Sequence, residues 1–374
     1  MSLKKIIKKI PFSIQVYRFF KSGVSGRKTS AIGAYSEPYV RNTQQMLKAA
    51  VIGAGNMGIA TYNALASLNN VEIIGVADIS QQSLKNFREK TGCPDSILFR
   101  DADTMLEKNQ PDLLCISTTA PSHMMLAKKA IMKKIPKLLI EKPMSTNIAD
   151  AKEVLRMAQE NGTVIAVNHS RRWSQNYTGV KSMLKSGRYG HLRSAYLAFG
   201  KGGIGMLGIH YIDLLRYLFD SEIKAVSADF DKEEEVNSRG ADFKDPSGRV
   251  LLKFADGGRA YMDFSSDLIK RDKFLVLKTD SARLEIDESN EQIRVIDGSG
   301  IKNIGFVHPD FTGAKRIKPV LASLLSGDVP NSDGTDGLKA IEALVAVNIS
   351  AESGGREISL PLDPESEKIV LRIP

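Results

Sequence analysis

The sequence is short of three things, and each shortage excludes a class of protein. Cysteine occurs twice in 374 residues, at Cys93 and Cys115. Two cysteines build no disulfide framework and no thiolate metal cluster, and no other set of residues has metal-ligand spacing. Cys115 lies in the apolar run Leu113-Leu114-Cys115-Ile116, as a buried strand residue would. This usage reads as cytoplasmic. Long apolar runs are also missing: no stretch of about 18 such residues exists, which excludes an ordinary spanning helix. The third shortage is local. Residues 1–46 hold one acid, Glu37, against nine bases. The whole chain has a formal net charge of +9, so this segment carries eight of the nine charges and the remainder is nearly neutral. A nucleic-acid-binding body thereby loses its support.

What the first residues do contain is a pattern. Leu3, Ile6, Ile7, Ile10, Ile14 and Tyr17 recur at helical steps, with Lys4, Lys5, Lys8 and Lys9 on the other side and a break at Pro11. One reading is an amphipathic helix over residues 1–21 lying on an anionic membrane surface, peripheral at the inner face. The alternatives are a helix docked on the protein's own body or on a partner subunit, and a segment without fixed structure. Arg18 interrupts the apolar stretch and no small-residue cleavage site follows, so it is no secretory signal. Residues 22–46 are rich in Ser, Gly, Thr and Asn and read as a linker.

At Lys48 the character changes. The short strand Ala49-Ala50-Val51-Ile52 runs into Gly53-Ala54-Gly55-Asn56-Met57-Gly58 and then a helical pattern from Ile59. A second strand, Val71 to Ala77, ends in Asp78, where the ribose-binding acid of a dinucleotide fingerprint belongs. Gly53 permits the tight turn, Gly55 lets backbone approach a pyrophosphate, and Gly58 lets helix pack on strand. The helix N-terminus offers amides to the phosphates. Asp78 accepts both ribose hydroxyls and repels a 2′-phosphate, so the cofactor expected is NAD rather than NADP. Further β-α units follow. Thr118, Thr119 and Pro121 end one strand, with His123 opening the next helix. Glu141-Lys142-Pro143 ends another strand, and Asn168-His169 ends the last. Such alternation predicts a doubly wound parallel sheet, a Rossmann domain, over residues 47–168.

These motifs resemble the Gfo/Idh/MocA oxidoreductases, which act on sugars and nucleotide-sugars. The matching residues are Gly53–Gly58 with Asp78, Thr118-Thr119-Ala120-Pro121-Ser122-His123, Glu141-Lys142-Pro143, and Asn168 with Arg171-Arg172-Trp173. Later come Gly208-Ile209-His210-Tyr211-Ile212-Asp213 and the stretch from Asp336-Gly337 to Leu360-Pro361. The resemblance covers residues 48–362. It implies a C-terminal α/β domain, residues 169–374, with a large, predominantly antiparallel open sheet. Seven strand-like runs between Arg193 and Ile296, with a hairpin turn at Asp256-Gly257-Gly258, agree with that. In the family the open face packs on another subunit, which implies a homodimer or homotetramer.

The resemblance also assigns roles. Gly53, Gly55, Asn56, Met57, Gly58, Asp78, Thr118, Thr119, Pro121, His123, Glu141 and Lys142 would hold NAD. Lys142 and His210 would be catalytic, with His210 the proton acceptor, and both would touch the sugar. Arg171, Arg172 and Trp173 would grip a phosphate, carboxylate or sugar face, or else form an ion-paired junction with a core tryptophan. Asp213 would orient its helix. Arg239 and Lys201 are weaker candidates for the pocket. One departure stands out. Many family members carry Asp four residues before the His, and here that position is Met206, whose thioether accepts no proton. Either Lys142 and His210 suffice, or the chemistry is altered. The altered forms would be a redox-neutral NAD-using glycosidase or epimerase, or a non-catalytic NAD-binding subunit. A place at a membrane surface would suit synthesis of surface-polysaccharide precursors.

Overall fold

In the computed structural model, residues 46–200, 202–231, 239–265, 273–306, 313–327 and 329–374 are described. The N-terminal amphipathic pattern and Lys201 lie outside the described residues. The first sheet is parallel, in the order β3-β2-β1-β4-β5-β6. Its strands are β1 (Leu47–Ile52), β2 (Val71–Ala77), β3 (Leu98–Phe99), β4 (Leu113–Ile116), β5 (Lys137–Ile140) and β6 (Val164–Val167). The central strand β4 is buried along its whole length, because helices cover both faces. The intervening helices are α1 (Asn56–Ala66), α2 (Gln81–Thr91), α3 (Ala102–Lys108), α4 (Ala120–Met132) and α5 (Ile148–Asn161). Their ends are written in the sequence. Ser80, Asp101 and Asn147 each accept an amide of the following first turn, and Gly92 and Gly162 close α2 and α5 in the left-handed conformation.

Two local expectations are corrected. Helix α4 opens at Ala120 rather than His123, because Pro121 fits the first turn of a helix. The strand expected over Ile97–Phe99 is shorter: residue 97 closes a short 3-10 turn, so the edge strand β3 has only two residues.

The second sheet has nine strands in the order β14-β13-β12-β11-β7-β10-β9-β8-β15. These are β7 (Leu192–Phe199), β8 (Ile223–Phe230), β9 (Gly248–Phe254), β10 (Arg259–Asp263), β11 (Lys273–Thr279), β12 (Ala282–Asp287), β13 (Gln292–Asp297), β14 (Gly300–Ile304) and β15 (Ile358–Ser359). All neighbours are antiparallel except β7 and β10. The sequence did not announce β14 or β15, which are short edge strands. Helix α6 (Gln175–Lys185) leads into the sheet, and a π-helical turn, Ile204–Gly208, feeds α7 (Ile209–Phe219). Helices α8 (Lys318–Ser326) and α9 (Gly334–Glu352) end the fold. Helix α9 packs on α5, α7, β6 and β8, and so ties the two sheets together. Its start is fixed by a capping box between Asp333 and Asp336. Helix α8 returns to the first sheet, where Ile317, Val320, Leu321 and Leu324 join the core around Val51, Leu65 and Leu139.

Candidate active site

The site lies at the C-terminal ends of β1, β4, β5 and β6, the edge where a parallel α/β sheet receives ligands. The glycine loop after β1 is built as its spacing predicts. Gly53 has φ +103°, and a Cβ on Gly58 would lie 1.8 Å from Gly53 O, so α1 can cross this close only with glycine there. In front of Gly55 there is open space, with nothing within 4 Å of where its Cβ would be. Asp78 receives the Ala54 and Ser80 amides at 2.7 and 2.8 Å and remains partly exposed, with lone pairs to spare for hydroxyls. A helix N-terminus, an open cradle over Gly55 and an acid at the end of β2 are what the diphosphate and ribose of NAD need.

Beside this loop is a cavity of about 170 Å³ lined by Met57, Thr118, Glu141, Lys142, Asn168, Met206 and His210, with Arg239, Arg316 and Pro374 at its wall. Lys142 follows β5, and its Nζ donates to Met206 O at 2.9 Å, with Met206 Sδ at 3.9 Å. Burial pushes its proton affinity down to about 8; Glu141 and Asp245 oppose the shift, and Arg239 and Arg316 add to it. His210 sits in the first turn of α7, buried, with Nδ1 unpaired among the described residues. Burial, then the charge of Lys142, holds its ring well below the ordinary histidine range, so it is neutral and able to accept a proton. Glu141 is fixed by a bond from Asn168 Nδ2.

Four expected ligand residues are placed elsewhere. His123 is fully buried, with Nδ1 2.8 Å from Pro143 O and Nε2 3.2 Å from Thr118 O. Both nitrogens face backbone, so His123 braces the two strand-end loops and has none left for a cofactor. Arg172 forks onto Asp213 at 2.7 and 2.9 Å and reaches Asp336 at 2.7 Å. Arg171 lies 4.0 Å over the Tyr211 ring and bonds Glu288, which also receives Tyr177 Oη at 2.6 Å. Trp173 is buried in the core beneath α8. The two arginines thus anchor the turn after β6 to α7, to the end of β12 and to the start of α9, Trp173 packs into the core, and none of the three lines the cavity. His169 belongs to the same junction, 3.0 Å from Ser332 Oγ and 3.4 Å from Asp213.

Sequence reasoning missed Arg316, Pro374 and Asp245. Arg316 closes a 3-10 turn packed on α1; one of its terminal nitrogens lies 2.6 Å from Met57 Sδ, and its Nε has no partner among the described residues. Asp245 accepts the Gly205 and Met206 amides at 2.6 and 3.2 Å. No local motif marks these three. The glycine-rich run from Gly202 to Gly208 signals a close approach without saying what approaches.

The profile of the Gfo/Idh/MocA oxidoreductases with NAD-binding Rossmann fold matches residues 47–169, and that of the family's C-terminal domain matches residues 151–286. The chain belongs to the Gfo/Idh/MocA family. This member is therefore an NAD-dependent oxidoreductase. It is 25% identical over 344 residues to D-apiose dehydrogenase of Paraburkholderia graminis, covering 83% of this chain and 89% of that one. Its fold is similar to that of an Agrobacterium radiobacter oxidoreductase solved with NAD+, L-tartaric acid and magnesium, with TM-score 0.74 and 20% identity over 84% of this chain and 98% of that one. It is similar also to the WlbA dehydrogenase of Bordetella pertussis solved with NADH and UDP-GlcNAcA, with TM-score 0.72 and 20% identity over 86% and 99%. Among the described residues of this Gfo/Idh/MocA protein, no helix is long and apolar enough to cross a membrane.

Proposed function

We propose that the enzyme interconverts a carbinol and a ketone on a sugar or nucleotide-sugar, using Lys142 and His210. The observation that carries this is their convergence: the half-buried ammonium after β5 and the neutral imidazole of α7 line one cavity beside Met57 and Thr118 of the NAD edge. NAD supplies the hydride acceptor or donor. Lys142 holds the substrate oxygen and steadies the alkoxide, and His210 takes or returns the hydroxyl proton. The cavity wall adds Arg239 and Arg316 to Lys142, against Glu141, while Asp245 acts on Lys142 from outside the lining. A substrate bearing a carboxylate or phosphate suits that wall.

Purified protein is to be assayed with NAD+ against neutral, acidic and phosphorylated sugars, and with NADH against the ketones. Turnover followed by NADH absorbance is expected, fastest with an acid-bearing substrate. No turnover with any of them, together with NAD affinity indifferent to Gly55→Val, would overturn the reading. A glycoside turned over without net NADH change would assign redox-neutral chemistry instead.

Two wider readings belong with it. The half-buried aromatic band of the second sheet, Tyr196 stacked on Tyr261 with Phe274 beside them, supports a homodimer or homotetramer. The lysine-rich pattern of residues 1–21 supports a peripheral place on an anionic membrane.

A further inference from the structure

We infer that Asp245 is a positioning residue for Lys142, delivering from a remote loop the carboxylate that the position of Met206 lacks. The inference rests on the role just proposed for Lys142. Asp245 stands shortly before β9, and its carboxylate caps the π-helical turn that precedes His210. Oδ1 accepts Gly205 N at 2.6 Å and Met206 N at 3.2 Å, and Oδ2 is also 3.2 Å from Met206 N. On the far side of the same residue, Met206 O receives the Lys142 ammonium at 2.9 Å. Met206 is therefore clamped between the carboxylate and the amine. A second tie, Ile204 N to Pro246 O at 3.0 Å, keeps the two segments together.

The turn is made to admit this carboxylate. A Cβ on Gly203 would fall 1.9 Å from Asp245 Cγ, and one on Gly205 would fall 2.9 Å from Oδ1. Both glycines leave room that Asp245 fills. The charge facing Asp245 is Lys142; the π-helical turn brings amides, and the C-terminal segment brings Ile373. Burial pushes the Asp245 carboxyl up to about 6, against the pull of the two amides and Lys142. In return its negative charge holds the Lys142 proton on, alongside Glu141 and against Arg239 and Arg316. Protonating Asp245 removes that charge and loosens the grip on both amides.

The test compares Asp245→Asn, Asp245→Ala and Gly203→Ala with the parent enzyme, each confirmed folded by its thermal melt. In the Asn variant the acid limb of kcat/KM near pH 6 is expected to disappear. The Ala variant and Gly203→Ala, which expels the carboxylate without removing it, should lose about a hundredfold in kcat while NAD affinity holds. Competitive acylation of the Lys142 amine, read by mass spectrometry across pH, gives a readout independent of turnover. It should titrate near 8 in the parent and lower in Asp245→Asn. An unchanged acid limb and an unchanged Lys142 titration in that variant would overturn the assignment. A shifted Lys142 titration in a protein that turns nothing over would uphold the positioning and defeat the proposed reaction instead.

Discussion

Lys142 is held where an ammonium is costly. Its proton affinity falls from 10.5 to about 8, chiefly by burial, and its hydrogen-bond partners are a carbonyl and a thioether of Met206. Between those two values the unfolded chain binds the extra proton, so stability rises as pH climbs from about 8 to about 10.5. Below 8 the site carries the full cost, roughly 3 kcal/mol by the size of the shift. Lys142→Met is therefore expected to raise the denaturation midpoint at pH 7 while lowering kcat/KM by about 10²–10³. A parallel loss of stability would show that the ammonium holds the loop rather than strains it. Because the reaction needs the charged amine against the alkoxide, kcat/KM of the parent should also decline as pH rises through about 8. A rate that climbs through that range would make Lys142 the proton acceptor and His210 the donor.

At the scale of elements, the turn after β6 is the joint of the molecule. Asp213 of α7 is fully buried and receives both arms of Arg172, with His169 3.4 Å away. Burial alone would raise its carboxyl; His169 and Arg172 outweigh that and hold it near 2. This contribution is present above the ordinary carboxylate range and is lost as pH falls through about 2. Asp213→Asn should cost about 3–5 kcal/mol in a chemical denaturation curve, because it leaves the Arg172 charge buried and half-paired. The folded fraction should keep kcat within a few fold, since Asp213 does not line the cavity. The joint also shows what the sequence could tell. Gly53 to Gly58 and Asp78 were legible because turn chemistry and a strand end mark them locally, whereas Lys142 and His210 were singled out by the family resemblance. Arg171, Arg172 and Trp173 were not. Two arginines and a tryptophan suit a ligand and an ion-paired joint equally, and Glu288, Asp213 and Asp336, which decide between them, lie far along the chain. Asp245 was hidden for the same reason. Strand β14 escaped because Gly-Ile-Lys-Asn-Ile has too little apolar alternation to announce itself.

For the whole molecule, the second sheet and the basic leader make separable claims. Tyr196 and Tyr261 stack with centroids 5.6 Å apart across β7 and β10, among Arg249, Glu285 and Arg294 on the same side of the strands. A band of that kind gains by meeting its own copy. Light scattering is expected to give a multiple of the 41.0 kDa protomer, and Tyr261→Asp to return the single mass. Removing residues 1–46 should leave the number of protomers in the assembly unchanged and abolish co-flotation with phosphatidylserine vesicles. Equal flotation with and without those residues would reject the membrane reading. Helices α8 and α9 carry a further consequence, for synthesis. The strands of the first sheet are complete once β6 has been made, yet the side chains that roof it, from Ile317 to Leu324 and along α9, are translated well after it. A nascent chain thus presents an unroofed parallel sheet to the cell until α8 and α9 have emerged, and chaperones would meet this protein through the apolar patch around Val51, Leu65 and Trp173.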